Sequence, residues 1–386
     1  MKIAVLTAIR AEYSLLFPII KKMIEDKDIE VEVLVTGAHL SPEFGLTYKE
    51  IEADGIRVSK KIEMLLSSDS PSSITKSMGL AMIGASDFFL ENKMDALMVL
   101  GDRYETLAVC CAAMNARIPI IHLYGGDTTE GAIDEAIRHA ITKMSYLHFT
   151  STQIYRKRVI QMGESPDRVY CVGAIGVENA VNTSLMSLDE LSESLEMDLQ
   201  KPYALVTFHP VTLENNSSKE QVMELLRVFD EFKDMQFVVT KANADADGRI
   251  INELFEEYAK VHDNVRVFDS LGMVRYLSGI KYSECVIGNS SSGLTEVPSF
   301  KIPTVNIGDR QKGRIQAKSV INCEPKYEDI LKAVRLAISI DFKQSIQDVV
   351  NLYGDGNTSD KIIKILKEHK GNFDLKKKFY DIPFEV

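Results

Sequence analysis

Tyr282-Ser283-Glu284-Cys285-Val286-Ile287-Gly288-Asn289-Ser290-Ser291-Ser292-Gly293-Leu294-Thr295-Glu296-Val297 is an apolar, strand-like run that stops at Gly288. Four small polar residues follow it, and a helical pattern begins near Leu294. This is the strand-to-helix turn of an α/β unit, where unpaired backbone N–H groups and the positive end of a helix dipole face one point. Small side chains let an anion approach closely, and Ser290 and Ser291 add hydroxyl donors. No lysine follows the turn, so it is not a Walker loop. Glu296, just inside the helix, is placed to accept from a diol such as a ribose. An ordinary serine N-cap would look the same locally. The rest of the chain has to decide between them.

Working outward, the same alternation of strand and helix recurs in both directions. Lys2–Thr7, Val31–Gly37, Met94–Leu100, Pro119–Leu123, Leu147–Thr150 and Val169–Gly173 read as buried strands, with helical spacing between them. Tyr48–Lys61 holds a weaker helix and strand. After the acidic helical segment Leu185–Leu199 a second series follows: Ala204–His209, Phe237–Lys241, Val265–Asp269, Cys285–Gly288 and Thr304–Gly308. Two such series predict an α/β protein with two Rossmann-like domains facing a cleft. The expected limits are residues 1–175 and 176–357. The remaining 358–386 form a helix, Thr358–Lys367, that packs back on the first domain, and a tail. Lys376-Lys377-Lys378 in that tail reads as a solvated charge run.

The length of 386 residues suits two domains, and 45% hydrophobic with 26% charged residues is a globular composition. A net charge of -11 with no basic patch argues against nucleic acid as a partner. The five cysteines lack metal-ligand spacing and sit mostly in apolar runs, as buried thiols in a reducing compartment do. Met1 leads directly into a strand and no apolar run reaches membrane-spanning length, so the expectation is a cytoplasmic protein with no membrane partner.

Charged and hydroxyl residues recur just after strands, where one cleft would gather them. Arg10 follows the first strand, His39 the second, and Asp102 and Arg103 the next full one. Asp127, Asp134 and Glu135 come after the strand ending at Leu123. From the second half come His209, Lys241, Asp269, Ser290–Ser292, Glu296 and Arg310. Each has a plain structural explanation: a loop ion pair for Asp102-Arg103, dipole-matched acids for Asp134 and Glu135. Their convergence is what points to a ligand.

The motifs that carry these residues resemble those of the hydrolysing UDP-N-acetylglucosamine 2-epimerases. They include Arg10-Ala11-Glu12-Tyr13, Thr36-Gly37-Ala38-His39, Gly101-Asp102-Arg103 and Ile133-Asp134-Glu135-Ala136-Ile137-Arg138-His139. Phe208-His209-Pro210-Val211-Thr212, Gly288-Asn289-Ser290-Ser291-Ser292-Gly293, Asn306-Ile307-Gly308-Asp309-Arg310 and Tyr353-Gly354-Asp355-Gly356-Asn357 continue the series. The resemblance implies a GT-B-like fold, a dimer or tetramer, and synthesis of N-acetylmannosamine-type sugars for sialic or related nonulosonic acids. By motif, Arg10, Ser14, Arg103, His209, Ser290, Ser291 and Arg310 would hold the nucleotide diphosphate and Glu296 the ribose. Asp102, Asp134 and Glu135 would be the catalytic carboxylates, and His39 would lie beside the sugar. The family commonly has Glu two residues after the histidine that is His122 here; this chain has Tyr124. Either the phenol moves a proton, Asp127 substitutes, or the other carboxylates suffice.

The implied route needs no metal and no redox cofactor. Departure of UDP makes C1 oxocarbenium-like and C2–H acidic; a carboxylate then takes that proton to leave a glycal. Water adds at C1 while a second acid protonates the opposite face of C2. UDP-N-acetylglucosamine is the default substrate. The alternatives are the same reaction on a 2,4-diacetamido-trideoxy nucleotide sugar, a GT-B glycosyltransferase, and a silent nucleotide-sugar-binding protein.

Overall fold

Strands with no polar alternate must bury both faces, which only a sheet covered on each side allows. In the computed structural model, which describes residues 1–66, 68, 70–128, 133–210, 218–242, 248–369 and 373–383, this is what Lys2–Thr7 (β1) does. Ile3 and Val5 face a core with Leu16, Ile19 and Ile20, while Ala4 and Leu6 face another with Phe88 and Val109. The period of two sends alternate residues to opposite faces.

The chain continues through α1 (Arg10–Glu25), β2 (Glu30–Thr36), α2 (Tyr48–Ala53), β3 (Val58–Ile62), α3 (Pro71–Glu91), β4 (Ala96–Leu100) and α4 (Tyr104–Asn115). Then come β5 (Ile120–Leu123), α5 (Asp134–Met144), β6 (Leu147–Thr150), α6 (Gln153–Gln161) and β7 (Val169–Cys171). All pairs are parallel, in the order β3-β2-β1-β4-β5-β6-β7. The reversal between β1 and β4 is a topological switch, outside whose strand ends ligands bind in open α/β sheets.

Helix α7 (Ile175–Asn182) leads into the second unit, followed by α8 (Leu188–Leu195), β8 (Tyr203–Thr207), α9 (Ser218–Phe229), β9 (Gln236–Thr240) and α10 (Gly248–Ala259). β10 (Val265–Phe268), α11 (Gly272–Tyr282), β11 (Cys285–Gly288), α12 (Ser292–Thr295), β12 (Thr304–Ile307), β13 (Val320–Cys323), α13 (Tyr327–Ala337) and α14 (Ile340–Ser345) complete it. Its parallel sheet runs β10-β9-β8-β11-β12-β13, the same order with its own switch between β8 and β11. The chain thus divides into two compact parallel-sheet units: the described part of 1–127, 133–178 and 354–383, and 179–353 together with Thr128.

Three expectations need correction. The helix after the serine turn is a single turn, α12, followed by a 3-10 turn at Val297–Phe300. Pro298 has no N–H to continue the helix, so no long dipole points at Ser290–Ser292. β13 escaped the sequence reading because Asn322 interrupts a short, half-exposed edge strand. Finally, Lys377 of the tail is folded in, while Lys376 and Lys378 are exposed.

Helix α15 (Thr358–Glu368) belongs to the first unit. Its Ile362 and Leu366 join the core of α1, and Ser359 N–H donates to the buried Glu178 at 2.6 Å. Among the described residues, no helix is long and apolar enough to cross a membrane.

Candidate active site

The acidic residues of the first unit are organised by a residue that the sequence reading left out of the site. Arg138, one turn into α5, is 3% exposed. It donates through Nη2 to Asp102 and through Nη1 to Glu135 Oε2 at 2.9 Å and the Asp127 carbonyl at 2.8 Å. A planar guanidinium suits such divergent acceptors, and its charge offsets the repulsion between the two carboxylates. The signal in the sequence was Glu135-x-x-Arg138, an i,i+3 pair on one helical face. His139 adds a contact from Nε2 to Glu135 Oε1 at 3.3 Å. Asp134 is half-buried in the first turn of the same helix.

His122 on β5 fixes the loop that carries Asp102. Its Nε2 lies 2.7 Å from the Gly101 carbonyl, which can only accept, so the proton is on Nε2 and Nδ1 accepts from Thr142 of α5 at 3.2 Å. Burial pushes this imidazole down to about 3, so it stays neutral. Gly101 turns the chain at φ 76°.

Tyr124 follows β5 with φ 66°, a conformation uncommon for a side chain of its size. Its hydroxyl accepts from the Ile175 N–H at 2.8 Å at the start of α7. Asp127 Oδ1 accepts from Ser151 Oγ at 3.0 Å.

The basic residues expected in the first unit are already engaged. Arg103 makes a two-point pair with the buried Glu105, Nε to Oε2 at 3.1 Å and Nη2 to Oε1 at 2.8 Å. Glu12 lies against this pair and accepts from the Ala8 N–H at 2.8 Å. Burial lifts Glu12 to about 7; the Arg103 charge pulls the other way, and Glu105 pushes it up further. Arg10 is half-exposed and paired with Glu50 at 3.1 Å. Ser14 donates to the Arg10 carbonyl at 3.1 Å. His39 is fully buried, with Nε2 on Thr7 Oγ1 at 2.9 Å and Nδ1 on Thr47 Oγ1 at 2.8 Å. Burial lowers it to about 4. With both nitrogens taken, it ties β1 to the loop after β2.

In the second unit Asn289 is the node. Its Oδ1 accepts from the His209 N–H at 2.7 Å and its Nδ2 donates to the His209 carbonyl at 2.8 Å. The Asn289 carbonyl accepts from Arg310 Nη1 at 3.1 Å and Gln311 Nε2 at 2.8 Å. One residue therefore locks together the loops after β8, β11 and β12. Gly288 permits this because a Cβ there would lie 1.9 Å from the Thr207 carbonyl oxygen. The His209 ring is buried with Nδ1 unbonded, and burial followed by the Arg310 charge lowers it to about 3. Ser290 Oγ faces the Ser292 N–H at 3.4 Å. Glu296 accepts from Thr295 Oγ1. At the ends of β12 and β13 a polar cavity of about 400 Å³ is lined by Asn306, Asp309, Arg314, Asn322 and Glu324 among others. Val211 and Thr212 of the His209 motif lie outside the described residues.

Sequence and fold comparisons show the family and the fold. The UDP-N-acetylglucosamine 2-epimerase family model matches residues 21–367. The GDP/UDP-N,N'-diacetylbacillosamine 2-epimerase (hydrolyzing) of Campylobacter jejuni is 43% identical, over 99% of this chain and 99% of its own length. Polysialic acid biosynthesis protein P7 of Escherichia coli is 40% identical, over 99% of this chain and 98% of its own. The crystal structure of the Neisseria meningitidis UDP-GlcNAc 2-epimerase bound to UDP-GlcNAc superimposes with a TM-score of 0.81 at 17% identity, covering 95% of this chain and 100% of that one. Two parallel α/β units in this order make the fold GT-B-like. The chain belongs to the UDP-N-acetylglucosamine 2-epimerase family, in its hydrolysing branch.

Proposed function

We propose that this protein hydrolyses a UDP-linked 2,4-diacetamido-trideoxyhexose, releasing UDP and the free sugar inverted at C2. The observation that carries the reading is the Arg138 clamp, which holds the Asp102 and Glu135 carboxylates at one point of the first unit. The 43% likeness to a diacetylbacillosamine 2-epimerase supports this sugar over the UDP-N-acetylglucosamine expected from sequence.

In this reading the second unit takes the nucleotide. His209, Ser290, Ser291 and Arg310, locked by Asn289, stabilise the departing diphosphate, and Glu296 takes the ribose. As the C1–O bond to UDP breaks, a carboxylate of the Asp102, Asp134 and Glu135 group removes the C2 proton, and its electron pair forms the C1–C2 double bond. Water adds to C1 of that glycal, and a second acid returns a proton to the other face of C2. Asp127 is the candidate for the added acid in place of the family glutamate, since the Tyr124 hydroxyl is already bonded to Ile175. Arg10, Ser14, Arg103 and His39 then act by shaping the turns around the sugar. No metal or redox group enters the route. Residues Leu80, Ile83 and Leu90, left exposed on α3, support self-association of two copies, which sedimentation at micromolar concentration tests.

Incubation with UDP-diacetamido-trideoxyhexose and with UDP-N-acetylglucosamine, without any acceptor, tests the assignment. Release of UDP with a higher kcat/KM for the first sugar supports it. Release from UDP-N-acetylglucosamine alone replaces the sugar, and no release without an acceptor replaces the enzyme class with a transferase.

A further inference from the structure

The tail that sequence marked as a solvated charge run makes a dense set of contacts with the far end of α5. Lys377 Nζ donates to the Lys143 carbonyl at 2.7 Å, the Ser145 carbonyl at 2.8 Å, and Glu164 Oε1 and Oε2 at 2.9 and 3.0 Å. Helix α5 ends at Met144 with Ser145 as its cap, so these carbonyls belong to the last turn, where unpaired acceptors and negative dipole accumulate. An ammonium there caps the helix with the correct sign. Glu164 is buried and also accepts from Lys143 Nζ at 2.6 Å and His148 Nε2 at 3.2 Å. Burial alone would raise this carboxyl, but the bonds from His148, Lys143 and Lys377 outweigh it and bring it to about 2.

The segment around Lys377 is held on both sides. Tyr380 N–H donates to the Gly163 carbonyl at 2.9 Å. The Phe379 ring lies so near Gly163 that a Cβ there would be 2.3 Å from ring carbons, at a φ of 88° that already favours glycine. Lys143 Nζ stands 5.0 Å from the centroid of that ring, and Phe373 meets Tyr146 edge-on at 5.6 Å.

We propose that this tail is a clamp on α5 and that Lys377 is a positioning residue for the reaction. Asp134, Glu135 and Arg138 ride on the first half of the same helix, and Arg138 lies five residues from Lys143, about 7.5 Å along the axis. A helix moves as a rod over that length. Fixing its C-terminal turn therefore sets the height of the Arg138 guanidinium against Asp102. The proposal rests on the functional reading above only for its kinetic consequence.

The test uses the full chain with Lys377→Met and Lys377→Arg. In Lys377→Met the Glu164 charge is still paired with Lys143 and still accepts from the neutral His148, so the variant keeps its fold. Its kcat falls by about tenfold or more while KM for the nucleotide sugar stays within twofold, because a misplacement near 1 Å is costly to turnover. Lys377→Arg restores most of the loss, and amide hydrogen exchange over residues 138–144 quickens in Lys377→Met alone. A Lys377→Met enzyme with kcat within twofold of the parent, or with unchanged exchange in α5, overturns the clamp. If the parent turns over no nucleotide sugar, the functional reading fails instead, and the exchange arm alone decides the clamp.

Discussion

Arg138 on α5 and Asp102 after β4 form an ion pair through Nη2 and Oδ2, with the guanidinium 3% and the carboxylate 23% exposed. Two elements 36 residues apart in sequence are joined there. Asp102→Asn keeps the hydrogen bond but removes the charge, and is expected to abolish turnover while UDP binding persists. Normal turnover in that variant would remove Asp102 from the chemistry. Arg138→Met removes the buried cation that Asp102 and Glu135 share and should destabilise the fold by about 3 kcal/mol, read from denaturant midpoints.

Tyr124 and Asp127 give opposite expectations. Tyr124→Phe removes the acceptor for the Ile175 N–H and costs about 1 kcal/mol of stability, with kcat retained within a few-fold. Asp127→Asn lowers kcat by about a hundredfold or more, on the order of a lost general acid. The reverse pair of results would give the proton transfer to the phenol.

Asn289→Ala strips two bonds from the His209 backbone at a buried site. The expected loss is about 2–3 kcal/mol of stability, with a weaker affinity for UDP in calorimetry. Unchanged UDP affinity would take the Asn289 node out of the nucleotide site.

Glu12 supplies a pH signature. Its folded pKa of about 7 lies above the ordinary 4.5, so the folded chain keeps a proton that the unfolded chain releases between those values. Its favourable contribution is complete below 4.5 and is lost as pH rises through 7, a swing on the order of 3 kcal/mol. Glu12→Gln should therefore be more stable than the parent at pH 8 and lose that advantage at pH 5, measured by urea midpoints. The buried His39, His122 and His209 act in the other direction. Held neutral, they lose stability as pH falls below 6.5, and they cancel in the difference between the two proteins.

The strand ends were legible because parallel strands are uninterrupted apolar runs, and the first polar residue after each, such as Asp102 or His209, marks a loop on the ligand side. That alternation predicts two parallel sheets; their strand orders come from the structure. The partners of those residues were not legible. Arg138 appears in the sequence only as one residue of a helical motif, and tertiary packing is what buries it against Asp102. Asn289 looked like one more small polar residue of a turn, yet its amide is spent on the His209 backbone. His39 has the residue type of a ligand, but two threonine hydroxyls occupy it. Lys377 was hidden for the same reason as Arg138: its acceptors come from residues more than two hundred positions earlier.

The most direct test is proton NMR of the reaction in heavy water with the UDP-diacetamido sugar. The expected result is one deuterium at C2 of a free sugar of inverted C2 configuration, with one UDP released per sugar. A product that retains its C2 proton, or its C2 configuration, would contradict the elimination route and with it the roles given to Asp102, Asp134 and Glu135.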